Sequence, residues 1–176
     1  YFHTEWQLGE KTRLTVGLRY EHTRYDYDDK TTGGIVGRFL RAPERVDTFD
    51  NFSPKVGVVH HVNDDLSAYL NLARGTRAPQ TTDAYRLQSQ QVVGQIDSET
   101  LDSVEFGVRG EQWGISYDVA AFYMEKEDFF FRNVDGFNVT NGKTRHRGVE
   151  FSLFSQFLDH FAAAANFTYA THTYNF

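Results

Sequence analysis

Ser103-Val104-Glu105-Phe106-Gly107-Val108-Arg109, joined through Gly110-Glu111-Gln112-Trp113-Gly114 to Ile115-Ser116-Tyr117-Asp118-Val119-Ala120-Ala121-Phe122-Tyr123-Met124, decides how this chain folds. Val104, Phe106 and Val108 alternate with Glu105, Gly107 and Arg109. Ile115, Tyr117, Val119, Ala121 and Tyr123 then alternate with Ser116, Asp118, Ala120, Phe122 and Met124. Period-two alternation, broken once by a short turn at Gly110-Glu111-Gln112-Trp113, predicts a β-hairpin with one apolar and one mainly polar face. The second run exceeds the about 5–6 residues of an ordinary soluble strand. It approaches the roughly 9–11 residues with which a tilted strand crosses a bilayer. Which solvent meets which face therefore decides function.

Composition narrows the choice. Aromatics make up 16% of the 176 residues, with 16 Phe and 10 Tyr, which suits strands. Three Pro and 14 Gly exclude a collagen-like or low-complexity chain. The longest apolar run, Phe161 to Ala165, is far below the ~18 residues of a membrane helix. A spanning barrel stays open, because its lipid-facing residues are interleaved with lumenal ones. The absence of Cys excludes a disulfide scaffold and a thiolate metal site. A net charge of −6 argues against nucleic acid as a partner, since that surface needs a basic patch. With no signal peptide and no initiator Met at Tyr1, the chain reads as an interior piece of a longer protein.

Outward from the hairpin, the same alternation recurs over Tyr1–Leu8, Arg13–Tyr27, Val46–Val62 (interrupted near Ser53-Pro54), Leu66–Arg74, Lys143–Phe154 and Phe161–Phe176. Connections alternate strictly in length. Short ones fall near 9–12, 63–65, 110–113 and 157–160; long ones near 28–45, 75–97 and 125–141. In an up-and-down sheet alternate connections share a rim, so all short turns lie on one rim and all long loops on the other. That predicts an all-β fold: an antiparallel up-and-down transmembrane β-barrel segment of about eight strands, with short periplasmic turns and longer extracellular loops. The polar face carries Arg13, Arg19, Glu21, Glu105, Arg109, Asp118 and Glu150. Trp6, Tyr20, Tyr123, Phe167 and Tyr169 sit near strand ends, where interfacial girdles occur. Both chain ends fall on the long-loop side, which predicts a partial barrel. Phe176 then lies at the wrong rim to be a terminal aromatic signal. A lipocalin-like soluble barrel shares the period but turns its apolar side chains inward, and has no reason to sort its loops. A small eight-stranded outer-membrane barrel of structural or adhesive role is the other alternative.

Four stretches, in order, carry a family resemblance. Phe52-Ser53-Pro54-Lys55-Val56-Gly57-Val58-Val59 with Asn63-Asp64-Asp65-Leu66 is similar to a strand–turn segment of TonB-dependent outer-membrane receptors. Leu72-Ala73-Arg74-Gly75-Thr76-Arg77-Ala78-Pro79 resembles their S-R-G-F-R-A-P stretch, with Thr76 in place of the aromatic. Asp97 to Arg109 resembles their P-E-x-x-x-x-x-E-x-G segment, with Ser98 for the usual Pro. Asn141 to Glu150 is similar to their N-x-x-x-x-x-x-G-x-E element. The usual N-P-N-L before the P-E element is missing. The resemblance implies a partial receptor barrel over residues 1–176, in the outer membrane of a Gram-negative bacterium. It implies TonB-energised uptake of a scarce nutrient, most often a ferric siderophore, and sometimes haem, cobalamin or a glycan. The family's plug domain, through which TonB acts, is not among these residues. The expected partners are outer-membrane lipid and a ferric siderophore or similar small ligand.

Arg74, Arg77, Tyr85 and Arg86 lie in or beside the second long loop, where cationic and aromatic groups can hold an anionic chelate by charge-assisted hydrogen bonds. The alternative is that Arg74 and Arg77 pair with lumenal carboxylates at the barrel rim. Phe131 and Arg132 close the run Phe129-Phe130-Phe131-Arg132, which can meet a catecholate or porphyrin; alternatively its outward members form the outer girdle. His60 and His61 point to opposite faces and make a poor metal site, and an isolated His146 is weak evidence for a haem ligand. Gly57, Gly107 and Gly148 on the polar face suggest close approach of another backbone, such as a plug, or a local bend. No nucleophile–base set is present, so no enzyme activity, resident metal or cofactor is expected.

Overall fold

The computed structural model describes residues 1–30, 34–37, 39–88, 96–157 and 160–175. Its elements in chain order are β1 (Phe2–Leu8), β2 (Thr12–Tyr27), β3 (Gly34–Val36), β4 (Phe39–Arg41), β5 (Arg45–His61), β6 (Leu66–Arg77), α1 (Thr81–Tyr85), β7 (Arg86–Gln88), β8 (Glu99–Gln112), β9 (Ile115–Arg132), β10 (Asn138–Phe157) and β11 (Phe161–Asn175). Eight long strands form one antiparallel sheet in the order β1-β2-β5-β6-β8-β9-β10-β11, and β3-β4-β7 make a small second sheet within the long connections. The sheet is open: β1 and β11 are its two edges and do not pair with each other. A closed eight-stranded barrel requires that pairing.

Register fixes the faces. Because side chains alternate, residues paired across the ladder point the same way. Leu14↔Val58, Leu70↔Phe106, Val108↔Val119 and Val119↔Phe151 put the Val, Leu and aromatic rows on one continuous face. Asn71↔Glu105, Arg109↔Asp118 and Asp118↔Ser152 put the charged rows on the other. A cavity open over the polar face, lined by Ser67, Arg109, Glu111, Asp118 and Asn166, marks it as the concave, lumenal side. The apolar face is left uncovered: Phe106 is 55% exposed and Phe167 61%. So wide an uncovered apolar band has no place on a water-facing protein; it is the lipid-facing surface of a barrel wall. The expected girdle residues all lie on it, from Tyr123 at 39% exposure to Tyr169 at 64%, and Phe157 stacks on Phe161 at the short-turn rim.

The ladder departs from the sequence reading in three places. The central hairpin pairs through Gln112↔Ile115, so its turn is Trp113-Gly114 alone, with φ of 54° and 74°; this is the mirror-image turn that matches strand twist. Pro54 does not break β5 against β2, where Leu18↔Pro54 pairs in register. It stands where the β5–β6 ladder ends at Lys55↔Ala73, as a residue without an N–H should. The third long excursion reads in sequence as part strand beyond the bilayer, turn-like at Asp135-Gly136 and Asn141-Gly142. It is strand for most of its length: β9 and β10 pair up to Arg132↔Asn138, with register shifts between Val139 and Thr144 and positive φ at Asp128 and Asn141. The loop start at Thr31-Thr32-Gly33, residues 89–95 of the second loop, the turn at Leu158-Asp159 and the terminal Phe176 lie outside the described residues.

At Gly107 the close neighbour is a cross-strand ring rather than another backbone. A Cβ there would lie 2.3 Å from Tyr69 Cζ. The ring cannot easily withdraw, because Tyr69 Oη donates to Asp118 Oδ1 at 2.9 Å and the Arg109 guanidinium covers it at 4.5 Å. Gly107→Ala is expected to destabilise the wall by about 1–3 kcal/mol, as overpacking does. Urea unfolding of the complete receptor in lipid vesicles checks this, since an unchanged midpoint would show that Tyr69 gives way.

Candidate functional site

At the long-loop rim, β2 and β5 run on past the apolar band, and β4, α1 and β7 fold against their lumenal side. Tyr25, Tyr27, Asp47 and Phe49 all project to that side, by register Tyr25↔Asp47 and Thr23↔Phe49. Tyr85, carried by α1, stacks on Tyr27 (centroids 4.5 Å apart, 13° between planes) and meets Tyr25 edge-on at 6.3 Å. Its Oη donates to Asp47 Oδ2 at 2.7 Å, and Asp47 is also paired with Arg45. Tyr25 Oη donates to Pro79 O at 3.0 Å. Ala42 and Ala84 complete this small buried cluster.

Beside the cluster lies a cavity of about 630 Å³, lined by Tyr25, Tyr27, Phe39, Leu40, Arg41, Thr82 and Tyr85 among others. Tyr27 Oη donates to Asp29 Oδ2 at 3.1 Å, and Arg41 Nη1 lies 3.4 Å from the same oxygen. Burial first, then the hydrogen bond to Asp47 and its charge, push the Tyr85 phenol above its ordinary range; burial and Asp29 do the same for Tyr27. Both stay protonated donors at neutral pH. Arg41 Nε is buried and has no hydrogen-bond partner among the described residues. A guanidinium and tyrosine hydroxyls lining one cavity are chemistry for an anion or a phenolate-bearing chelate.

The sequence-selected residues do not assemble into one site. Tyr85 lines the cavity, whereas Arg74, Arg77, Phe131 and Arg132 do not. Arg74 shares the lipid-side face with Leu72, above the apolar band, and holds Asp102 in a bidentate pair at 2.6 and 2.6 Å. Its carboxylate partner is therefore on the outward face and not lumenal. Arg77 is lumenal and donates to Glu99 Oε1 at 2.7 Å, with Lys126 3.1 Å from the other oxygen. The Arg86 backbone pairs with Arg41 across β4 and β7. Phe131 and Arg132 end β9 at the tip of the extended hairpin. The bulge at Asp128 turns Phe129 and Phe131 to the face of Lys126, whose ammonium lies 5.0 Å from the Phe129 centroid.

A family model described as TonB dependent receptor-like, beta-barrel matches residues 1–176. This chain belongs to the TonB-dependent receptor β-barrel family. An uncharacterized TonB-dependent receptor of Haemophilus influenzae is 29% identical over 159 residues, covering 89% of this chain and 43% of that protein. Among solved structures, the copper transporter OprC superposes with a TM-score of 0.79 at 20% identity, over 97% of this chain and 28% of its own. The ferric yersiniabactin uptake receptor FyuA of Yersinia pestis does so with a TM-score of 0.72 at 17% identity, over 98% and 26%. Such identities show a shared fold. The chain spans under half the length of the curated relative and about a quarter of the solved receptors.

Within this TonB-dependent receptor wall, the cavity residues other than Tyr85 had a faint signature in the sequence. Arg24-Tyr25-Asp26-Tyr27 keeps the strand alternation going after the apolar band has ended, which marks a strand rising into solvent. Histidines sort by face as well. His60 bonds Thr12 and His61 bonds Ser67, each at 2.9 Å and on opposite sides of β5. Among the described residues no group of three or more His, Cys, Asp or Glu is placed to hold a metal. No described helix is long and apolar enough to cross a membrane.

Proposed function

We propose that this chain is an arc of the barrel wall of an outer-membrane receptor that takes up a scarce nutrient with energy delivered through TonB, and that its cargo is a ferric siderophore. The observation that carries this reading is the pairing of a continuous lipid-side apolar band with a lumenal tyrosine–arginine cavity at the long-loop rim. Ligand capture belongs to that rim, and a cavity lined by Arg41, Tyr27 and Tyr85 suits an anionic iron chelate. A fold shared with a ferric yersiniabactin receptor is compatible with that cargo. In this reading residues 1–176 are part of the barrel domain, while plug and TonB contacts come from elsewhere in the receptor. Arg74 and Arg77 serve the wall, and Tyr85 serves the ligand.

Titrating the complete receptor in detergent with a ferric tris-catecholate, followed by quenching of its intrinsic fluorescence, tests the proposal. Saturable quenching is expected, weakened at least tenfold in Tyr27→Ala and in Arg41→Ala. Binding that both variants leave intact would move the ligand away from this cavity.

A further inference from the structure

His146 on β10 and His172 on β11 are register partners on the lumenal face. Their Nδ1 atoms are 2.6 Å apart, with ring centroids at 4.8 Å and planes at 61°. On the other flank of His146, its register partner on β9 is Met124, the one methionine of the chain. Three neighbouring strands thus present a thioether, an imidazole and a second imidazole in one row. Directly opposed side chains start about 4.5–5.5 Å apart at Cβ, within the span of a flexible Met.

The first imidazole is oriented. Thr144 Oγ1 lies 2.9 Å from His146 Nε2, and Thr144 is only 5% exposed. With Nε2–H donating to that oxygen, the lone pair of His146 is on Nδ1 and aims at His172. A hydrogen bond on the second ring nitrogen is how metal-ligating histidines are held in the required tautomer. With His146 in that tautomer, it is His172 that donates its Nδ1–H to His146 at rest. If that proton passes through solvent to Nε2 of His172, both Nδ1 lone pairs face one point, with no net change in protonation.

We propose that this row binds a soft monovalent metal ion, Cu(I), through His146 Nδ1, His172 Nδ1 and Met124 Sδ. Ligand chemistry selects the ion. Imidazole and thioether suit Cu(I), whereas hard divalent ions need carboxylates. The flanking lumenal positions hold Lys126 and Phe122 on β9, Gly148 on β10 and Ala170 and Tyr174 on β11, with no carboxylate among them. A nearby Lys126 further disfavours a divalent charge. The site stands apart from the Tyr27–Tyr85 cavity and does not depend on what that cavity binds.

The test is anaerobic competition for Cu(I) between the complete receptor and bathocuproine disulfonate, with X-ray absorption at the copper edge. One Cu(I) with two nitrogen scatterers and one sulfur is expected. His172→Gln and Met124→Leu should each weaken binding at least tenfold, and Met124→Leu should remove the sulfur scatterer. Gln keeps a polar side chain at the lumenal position of His172 and Leu conserves the volume of Met, so neither change threatens folding; heat-modifiable mobility on gels checks that. Unchanged affinity in either variant, or a copper shell lacking imidazole or sulfur, overturns the site.

Discussion

Val119→Arg in the complete receptor is expected to lower folding stability by about 2–4 kcal/mol, the cost of an arginine on the lipid face near the bilayer midplane. Val119 sits midway along the apolar row of β9, between Ile115 and Tyr123, and pairs with Val108 and Phe151 on the same face. The guanidinium would be surrounded by acyl chains, with the nearest charged rows two residues beyond the girdle. Leu18→Arg on β2 should behave alike. The control is Glu150→Arg, one position away on β10 but exposed on the lumenal face, where a change within about 0.5 kcal/mol is expected. Folding into vesicles at graded urea measures both. Equal losses for Val119→Arg and Glu150→Arg would mean that the two faces meet the same solvent.

Tyr85→Ala should have the second large effect, and a local one. Tyr85 is 7% exposed, stacked on Tyr27, and bonded to Asp47. Truncating a buried aromatic costs about 3–5 kcal/mol, here taken from the docking of α1 against β2 and β5 and not from the wall. Amide exchange in residues 81–88 should accelerate by at least a hundredfold, while protection in β8 and β9 stays unchanged. Tyr85→Phe keeps the stack and loses one hydrogen bond, worth about 1 kcal/mol. If Tyr85→Ala leaves exchange in α1 unaltered, the aromatic stack does not hold the cavity together.

The wall was legible because each strand declares its own faces. Val104 to Val108 and Ile115 to Tyr123 needed no partner to show which side is apolar, and the lengths of the connections sorted the rims. Register was not legible, and the site depends on it. Arg74 and Arg77 look alike in sequence, yet they are three residues apart on one strand and so point to opposite faces. The bulge at Asp128 redirects Phe129 and Phe131 into the lumen, and nothing in Glu127-Asp128-Phe129 announces a left-handed backbone. His146 read as isolated because its partner is 26 residues away and meets it only through the β10–β11 ladder. Tyr85 was visible as a loop aromatic, but its stacking partner Tyr27 is the last residue of strand β2, more than fifty residues earlier. Local periodicity predicts faces; pairing between distant strands decides which side chains meet.

The decisive measurement is a single-cysteine scan of β9 from Ile115 to Met124 in the complete receptor, reconstituted in vesicles, with a fluorophore at each position and quenchers in lipid and in water. Residues 1–176 contribute no cysteine of their own, and any elsewhere in the receptor is first replaced by serine. Labels at 115, 117, 119, 121 and 123 should be quenched from the lipid, and labels at 116, 118, 120, 122 and 124 from the aqueous lumen. The reverse alternation, or no alternation, would contradict a wall with its Val and Tyr rows turned toward the membrane.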